Sequence, residues 1–357
     1  MSNSKMYIDF HVIQTVPPSC VNRDDTGSPK TAVYGGVRRA RVSSQSWKRA
    51  MREMFRENFD ESELGVRTKR IVGLVQSEIL KINPEKSDDD ALKLAKKVIN
   101  AAEVKTKDAE AKALFFMSAK QAENLARLAL SGQFGKKEAQ EALKEGTGVD
   151  IALFGRMVAK PVSLSSDASA QVAHAISTHR VDNEYDYFTA VDDMAPEDNA
   201  GAGMIGTIEY NSSTLYRYAT VAGHSLFEEL SKSSEATAKA VKEFARAFIT
   251  SMPTGKQNTF ANRTLPDGVV VSIRADQPIN LVGAFEMPIA AKEAGYSKES
   301  MVRLISYAEK TYGDYFGEPL HAWVISESLS SLGEAVALPK LLEDLEAKVS
   351  AMLSIPQ

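Results

Sequence analysis

Apolar and polar residues alternate at the start of the chain, and a helical spacing of apolar residues follows. The alternation over residues 6–13 predicts a β-strand. Prolines, glycines and aspartates predict a loop over 14–36. Residues 37–43 predict a short basic strand, and a helix is expected to begin near Ser44. Its apolar positions follow the i, i+3, i+4, i+7, i+8 spacing of one helix face: Trp47, Ala50, Met51, Met54 and Phe55.

Residues 60–148 are rich in Ala, Lys, Glu and Leu and carry no strand pattern, which predicts a helical insertion. Ser87 precedes three aspartates and is expected to cap a helix. Ser118 and Gln121 have the spacing of a capping box. We name residues 60–148 the helical insertion.

The second half of the chain returns to strand patterns. Strands are predicted at Val149–Phe154, Ile205–Val221, Val269–Ile273 and Ile279–Phe285, and helices at about 233–250, 298–311 and 339–353. A polar, glycine-containing segment at 178–204 is expected to form a loop or a hairpin end. This order predicts an α+β fold with a ferredoxin-like split βαβ core and two large insertions.

Composition narrows the class of protein. Of the 357 residues, 43% are hydrophobic and 25% are charged, which is typical of a globular chain and excludes wholesale disorder. Cys20 is the single cysteine, so an intramolecular disulfide is excluded. No run of 18 apolar residues and no signal-peptide pattern occurs, so we expect a cytoplasmic protein without a membrane span.

Positive charge is concentrated in one segment of a chain whose net charge is −4. Residues 26–52, named here the basic segment, contain no Asp or Glu and seven cations: Lys30, Arg38, Arg39, Arg41, Lys48, Arg49 and Arg52. Such segregation favours a polyanionic ligand, and a basic surface paired to acids elsewhere is the alternative. Ser43, Ser44, Gln45 and Ser46 lie where free helix N–H groups also attract phosphate.

Enzyme motifs are incomplete. The run from Thr254 to Gln257 lacks the first glycine and the final Ser or Thr of a P-loop, and Gly223–Phe227 lacks the last glycine of a nucleophile elbow. His174 and His179 do not have the i, i+4 spacing of a helical zinc pair.

Acidic residues leave a second hypothesis open. Asp24 and Asp25, or Asp186 with Asp192 and Asp193, have side chains that hold Mg²⁺ in nucleases. The alternatives, which are more common for such residues, are a turn at Asp24 and Asp25 and a solvated surface for the other acids. Tyr185, Tyr187 and Phe188 in the same acidic segment either stack on bases or pack the hairpin. A metal-dependent ribonuclease therefore stays as the alternative to a binding protein.

Several longer motifs resemble one family. The chain resembles the backbone subunit of type I-E CRISPR Cascade, the CasC family of the RAMP superfamily, over nearly its whole length and least in 60–148 and after about 290. The motifs that carry the resemblance are residues 19–25 (SCVNRDD), 35–52 (GGVRRARVSSQSWKRAMR), 149–157 (VDIALFGRM), 173–179 (AHAISTH), 186–193 (DYFTAVDD), 215–219 (LYRYA) and 253–257 (PTGKQ).

This resemblance implies a hand-shaped fold: a modified RRM-like palm (1–59, 149–177 and 207–357), helical fingers (60–148) and a protruding thumb hairpin (178–206). It also implies a non-catalytic subunit that polymerises head to tail along CRISPR RNA. The thumb reaches a neighbouring copy, and the guide is displayed for pairing with target DNA beside other Cascade subunits, while a separate enzyme cuts the DNA. Neither a cofactor nor a metal is implied.

Residue by residue, the resemblance assigns RNA contacts along the motifs. The expected RNA-binding residues, with the neighbouring cations of the basic segment, are Asn22, Arg23, Arg38, Arg41, Ser43, Gln45, Lys48, Arg49, Arg52, Met157, Phe188, Lys256 and Gln257. Met157 is expected to touch bases and Phe188 to lie on the thumb. A guide-binding protein is expected to hold the RNA backbone and leave sequence reading to base pairing.

Overall fold

One large sheet organises the computed structural model, which describes residues 5–158, 160–190, 194, 204–291, 293 and 295–354. The strands are β1 (Tyr7–Ser19), β2 (Thr31–Tyr34), β3 (Val37–Val42), β4 (Gly65–Thr68), β5 (Thr106–Lys107), β6 (Glu110–Ala111), β7 (Phe115–Ser118), β8 (Ala170–Val172), β9 (Ala175–Ser177), β10 (Glu184–Ala190), β11 (Met204–Ala222), β12 (Gly268–Arg274), β13 (His321–Ile325) and β14 (Glu334–Ala335). The helices are α1 (Ser44–Asn58), α2 (Ile71–Ile82), α3 (Asp88–Ala101), α4 (Ala119–Ser131), α5 (Lys136–Ala142), α6 (Val149–Phe154), α7 (Gly223–Glu229), α8 (Ser234–Thr250), α9 (Gln257–Phe260), α10 (Ser297–Thr311) and α11 (Leu338–Ser354).

The central strands have the order of a split βαβ fold. β12, β1 and β11 lie side by side and antiparallel, and the short strands β8 and β9 follow on the far side of β11. Helices α1 and α8 connect these strands and pack together on one face. This is the 4-1-3-2 arrangement of a ferredoxin-like core, so the predicted α+β fold is confirmed.

Strand β1 is buried on both of its faces. Its even-numbered residues Ile8, Phe10 and Val12 pack against α1, α8 and α11, where the core includes Phe55, Phe244 and Phe248. Its odd-numbered residues face a second layer built from residues 279–332, including α10. Both faces of the central sheet are therefore covered.

The helical insertion has a core of its own, which extends from Ile71 to Leu164. The Ser87 hydroxyl accepts a hydrogen bond from the Asp90 amide at 3.2 Å, and Ser118 accepts one from the Gln121 amide at 3.1 Å. Both predicted caps are confirmed. The expectation of no strands is wrong, because β4 pairs with β7 and β5 with β6. These strands have two to four residues, too few to show a period of two.

Three other sequence predictions are wrong. Val149–Phe154 is the helix α6, since a run of six residues that is apolar at every position except Asp150 does not distinguish a buried strand from a buried helix. Ile279–Phe285 is not a strand: Leu281–Phe285 is a 3₁₀ helix, whose start is capped by the Asn280 side chain. Residues 14–36 are not all loop, because β1 continues to Ser19 and β2 follows. The pairing of β1 shifts register between Val16 and Ser19, where two prolines lack the N–H that a ladder requires.

A hairpin extends from the sheet. β10 pairs with the first part of β11, from Glu184 opposite Tyr210 to Ala190 opposite Met204, and β11 then continues into the central sheet. The tip, with Asp192 and Asp193, lies outside the described residues. Among the helices of the described ranges, none is long and apolar enough to cross a membrane.

Candidate nucleic-acid interface

The amphipathic sequence of α1 decides which of its residues reach the surface. Trp47, Ala50, Met51 and Phe55 are buried. At its start, the Ser43 amide donates to Asn22 Oδ1 at 2.9 Å, and the buried Ser43 hydroxyl lies 3.1 Å from that of Ser46. Asn22 therefore fixes the start of the helix. The opposite face presents Gln45, Lys48, Arg49 and Arg52.

These four residues form one wall of a cleft of about 540 Å³, named here the main cleft. The helical insertion and the segment after α6 supply the other walls. Those walls comprise Arg67, Leu114, Phe116, Phe154, Gly155, Arg156, Met157, Ser165, Ser166, Asp167 and Ala168. Met157 is 92% exposed and Leu114 is also exposed, so the cleft has apolar surface facing a cationic wall.

Two cations of α1 are available in the main cleft. The Lys48 ammonium lies 5.5 Å from the centre of the Phe154 ring, and burial lowers the pKa of Lys48. Arg49 pairs with Glu53 at 3.0 Å, but its side chain is 82% exposed. An exposed pair of this kind contributes little to stability, so Arg49 is free to exchange its partner for a phosphate.

Arg52, a predicted RNA contact, also forms contacts within the protein. Its Nε donates to Asp150 at 3.1 Å, and its guanidinium lies 4.4 Å from the centre of the Phe116 ring. Asp150 also accepts the Gly65 amide at 2.7 Å, and burial raises the pKa of this carboxyl. Arg52 thus connects α1 to the helical insertion at the floor of the main cleft.

A second cleft of about 240 Å³ lies on the other side of Arg49. It is lined by Val21, Asn22, Arg23, Ser46, Arg49, Ala50, Glu53, Pro253, Thr254 and Gly255. A Cβ atom on Gly255 would lie 2.1 Å from the Val21 carbonyl oxygen, so only glycine permits this approach of the two chain segments. Lys256 and Gln257 follow directly, with Lys256 in the left-handed region at φ 52°.

Three further cations of the basic segment have separate positions. Arg39 is buried and donates to the carbonyls of Tyr34, Ser177, Phe285 and Glu286. It therefore connects the β2–β3 hairpin to β9 and to the second layer. Arg41 donates to the Thr31 carbonyl and lies 3.1 Å from His174 Nδ1. Arg38 is exposed on β3. The charge of the basic segment is therefore divided between structure and surface.

The hairpin presents two different faces. Tyr185 and Tyr187 are exposed on one face, and Ile205, also exposed, lies opposite Thr189 on that face. Phe188 is half-buried on the other face, with its ring over Gly206, where a Cβ atom would lie 2.4 Å from it. Phe188 therefore packs within the hairpin, as one of the two hypotheses expected.

Asp24 forms a turn, which is the alternative to the hypothesis that it holds a metal ion. Its Oδ1 accepts the amides of Thr26 at 2.9 Å and Ser28 at 3.1 Å, and also the Thr26 hydroxyl at 2.7 Å. These bonds lower the pKa of Asp24, with the Thr26 hydroxyl as the largest cause.

Sequence reasoning missed the far walls of the main cleft. Arg67, Leu114, Phe116 and Asp167 belong to segments separated by tens of residues, and no local pattern distinguishes them from ordinary surface or core positions. The clefts bring together Asn22, Arg23, Gln45, Lys48, Arg49, Arg52 and Met157; Lys256 and Gln257 adjoin the second cleft, whereas Arg38, Arg41 and Phe188 line neither. The RNA-binding role of these residues stays a prediction.

The fold and the site together define an α+β protein with a ferredoxin-like sheet and a cation-lined cleft beside its first helix. A family model described as "CT1975-like protein" matches residues 8–348, and the chain belongs to that family. It is 33% identical to a chain of a "CRISPR RNA-guided surveillance complex, pre-nicking", covering 96% of this chain and 100% of that chain with a TM-score of 0.84.

A second solved structure gives a similar result. A chain of a "CRISPR RNA-guided surveillance complex" is 31% identical, with 96% of this chain and 99% of that chain covered and a TM-score of 0.64. No curated protein matches the chain. The resemblance to subunits of CRISPR surveillance complexes, which the motifs indicated, is confirmed.

Proposed function

We propose that this chain is a non-catalytic, CRISPR RNA-binding backbone subunit of a type I-E Cascade complex in the cytoplasm. The observation that carries the proposal is the main cleft, where Lys48 and Arg49 face exposed apolar side chains. Its relatives at 33% and 31% identity belong to CRISPR RNA-guided surveillance complexes.

The two sides of the main cleft suit the two sides of a single RNA strand. Gln45, Lys48 and Arg49 bind phosphates, a contact that carries no sequence information. Met157 and Leu114 offer apolar surface to bases. A protein that holds the backbone in this way leaves the guide sequence free to pair with target DNA.

Continuation of the RNA beyond the two clefts of one chain requires more than one copy of the chain. The second cleft leads from Arg49 toward Lys256 and Gln257, so the binding surface extends past the main cleft. A hairpin that projects from the sheet, with exposed tyrosines, is suited to reach the next copy. Head-to-tail contacts of this kind generate helical filaments. Other Cascade subunits complete the complex.

Mass photometry with RNAs of increasing length, with and without a CRISPR repeat, tests this function. We expect the bound mass to rise in steps of one protomer as the RNA lengthens, and Lys48→Ala with Arg49→Ala to weaken loading. Lys93→Ala with Lys96→Ala, on α3 outside both clefts, is the matched control and is expected to load like the wild type.

Two outcomes contradict the proposal. Binding of one protomer regardless of RNA length would remove the filament. Loss of full-length labelled RNA in the presence of Mg²⁺, abolished by Asp24→Ala or Asp186→Ala, would favour the metal-dependent ribonuclease instead.

A further inference from the structure

A buried arginine lies directly beneath α1. Arg217, on β11 opposite Val12 of β1, is 1% exposed. Its guanidinium carbon lies 3.7 Å from the centre of the Trp47 ring and 4.7 Å from that of Phe248. Across the described ranges no carboxylate forms an ion pair with it. Burial of a charged guanidinium without an ion-pair partner costs free energy. Packing alone therefore does not explain why an arginine occupies position 217.

The hydrogen bonds of Arg217 connect separate elements. Nη1 donates to Gln14 Oε1 at 2.6 Å, and Nη2 donates to the Phe248 carbonyl. Gln14 Nε2 in turn donates to the Thr264 carbonyl at 2.9 Å and lies 3.2 Å from the Thr264 hydroxyl. A continuous chain of contacts therefore runs from Trp47 through Arg217 and Gln14 to Thr264.

The residues that this network joins lie in or next to segments that carry candidate RNA contacts. Trp47 immediately precedes Lys48 on α1. Phe248 lies in the last turn of α8, which leads into the second cleft at Pro253–Gly255. Thr264 lies shortly after α9, whose first residue is Gln257. The network thus contacts segments on both sides of Arg49.

We propose that Arg217 is a positioning residue that aligns α1 with residues 253–264, so that one RNA strand contacts Lys48 and Lys256 together. This inference rests on the proposed function. Arginine suits the role because its planar guanidinium stacks on Trp47 while donating to two acceptors at once. Neither methionine nor lysine does both.

The salt dependence of RNA binding measures this alignment. One lost phosphate contact lowers the log–log slope by about 0.7 for a single strand. We expect Lys256→Ala to cause that decrease in the wild type. In Arg217→Met, and in Gln14→Met, we expect the same substitution to change the slope by less than about a third of that amount, because the strand no longer spans both segments.

Arg274→Met is the matched control. Arg274 is equally buried but pairs with Asp276 and lies over Tyr312 on the opposite face of the sheet. The Arg274→Met variant is expected to be less stable, but Lys256→Ala in that variant is expected to lower the salt slope by the same amount as in the wild type. A purely structural role for Arg217 would behave in the same way as this control. Where Arg217→Met does not fold, Gln14→Met carries the test.

The outcomes separate the two proposals. If the wild type binds RNA and Lys48→Ala weakens binding, yet Lys256→Ala keeps its full effect in Arg217→Met and Gln14→Met, the positioning role is wrong and the proposed function stands. No effect of Lys256→Ala in the wild type also overturns the positioning role. If the wild type does not bind RNA, both proposals fail.

Discussion

Arginines of identical charge have opposite roles in this protein. Arg156 is buried and donates to the carbonyls of Phe116, Leu143 and Leu164, and burial lowers its pKa to about 10. Arg39 and Arg217 are also buried, whereas Arg49 is exposed at the junction of the two clefts. Charge counting along the sequence therefore overstates the charge that a ligand meets.

Replacement of Arg52 and of Arg49 compares a cation that is paired inside the fold with an exposed one. Arg52→Met leaves Asp150, whose side chain is 3% exposed, without its cation. We expect a loss of about 3 kcal/mol in the free energy of unfolding, measured by urea denaturation. Arg49→Met, one turn earlier and exposed, is expected to cost less than about 0.5 kcal/mol. Similar losses for both variants would contradict the assigned difference.

At the scale of elements, the turn between β2 and β3 shows how a short hairpin is fixed to the fold. Gly35 and Gly36 have φ values of 58° and 76°, the combination that a two-residue type I′ turn requires. A Cβ atom on Gly35 would lie 1.6 Å from the Glu286 carbonyl oxygen, whereas Gly36 has open space. Of the two turn glycines, only Gly35 is therefore packed against the second layer.

The two glycines provide a matched pair of variants. Gly36→Ala meets only backbone strain and is expected to cost about 1 kcal/mol of stability. Gly35→Ala adds a clash with backbone, so we expect a loss of at least about 2 kcal/mol more, measured by thermal or urea unfolding. Equal losses of stability in the two variants would show that the Glu286 backbone moves away from the added methyl group without an energetic cost.

Across the whole molecule, coverage of both sheet faces decides where a nucleic acid can bind. In an RRM, aromatic residues on an open sheet face stack on bases. Here Tyr216 and Tyr218 point into the second layer instead, where they bond to Asn280 and Asp9. The proposed RNA-binding site therefore lies at α1 and the helical insertion instead of on the sheet.

The same buried layer predicts a pH effect on stability. Burial raises the pKa of Asp9 to about 6, while bonds from Ile279 and Tyr218 partly offset it. Burial lowers the pKa of His11 to about 3. The folded state therefore holds the Asp9 proton more tightly than the unfolded state, and this contribution to stability is lost as the pH rises through 6. His11 acts oppositely, and its contribution is lost as the pH falls below 6.5.

Asp9→Asn isolates the first of these effects, because its amide does not ionise and His11 remains in both proteins. The free energy of unfolding of Asp9→Asn, relative to the wild type, is expected to rise by about 2 kcal/mol between pH 4 and pH 7. Urea denaturation across that range measures it. A difference that stays constant with pH would show that Asp9 is not desolvated.

The sequence by itself determined the features that depend on neighbouring residues. The spacing from Trp47 to Phe55 set α1 and its exposed cations, and the Ser87 and Ser118 caps set two helix starts. The family motifs set the class of protein. The sequence did not determine α6, because burial of five of its six residues removes the periodicity that separates helix from strand.

Only the tertiary structure decided which charges meet a ligand. Asp150 neutralises Arg52 across 98 residues of chain, and Phe116, Met157 and Asp167 join α1 in one cleft. The contact between Arg217 and Trp47 likewise joins residues that share no local pattern. Hydrophobic periodicity and capping act within a few turns of chain, whereas desolvation and pairing of charges depend on whatever the fold brings within a few ångströms.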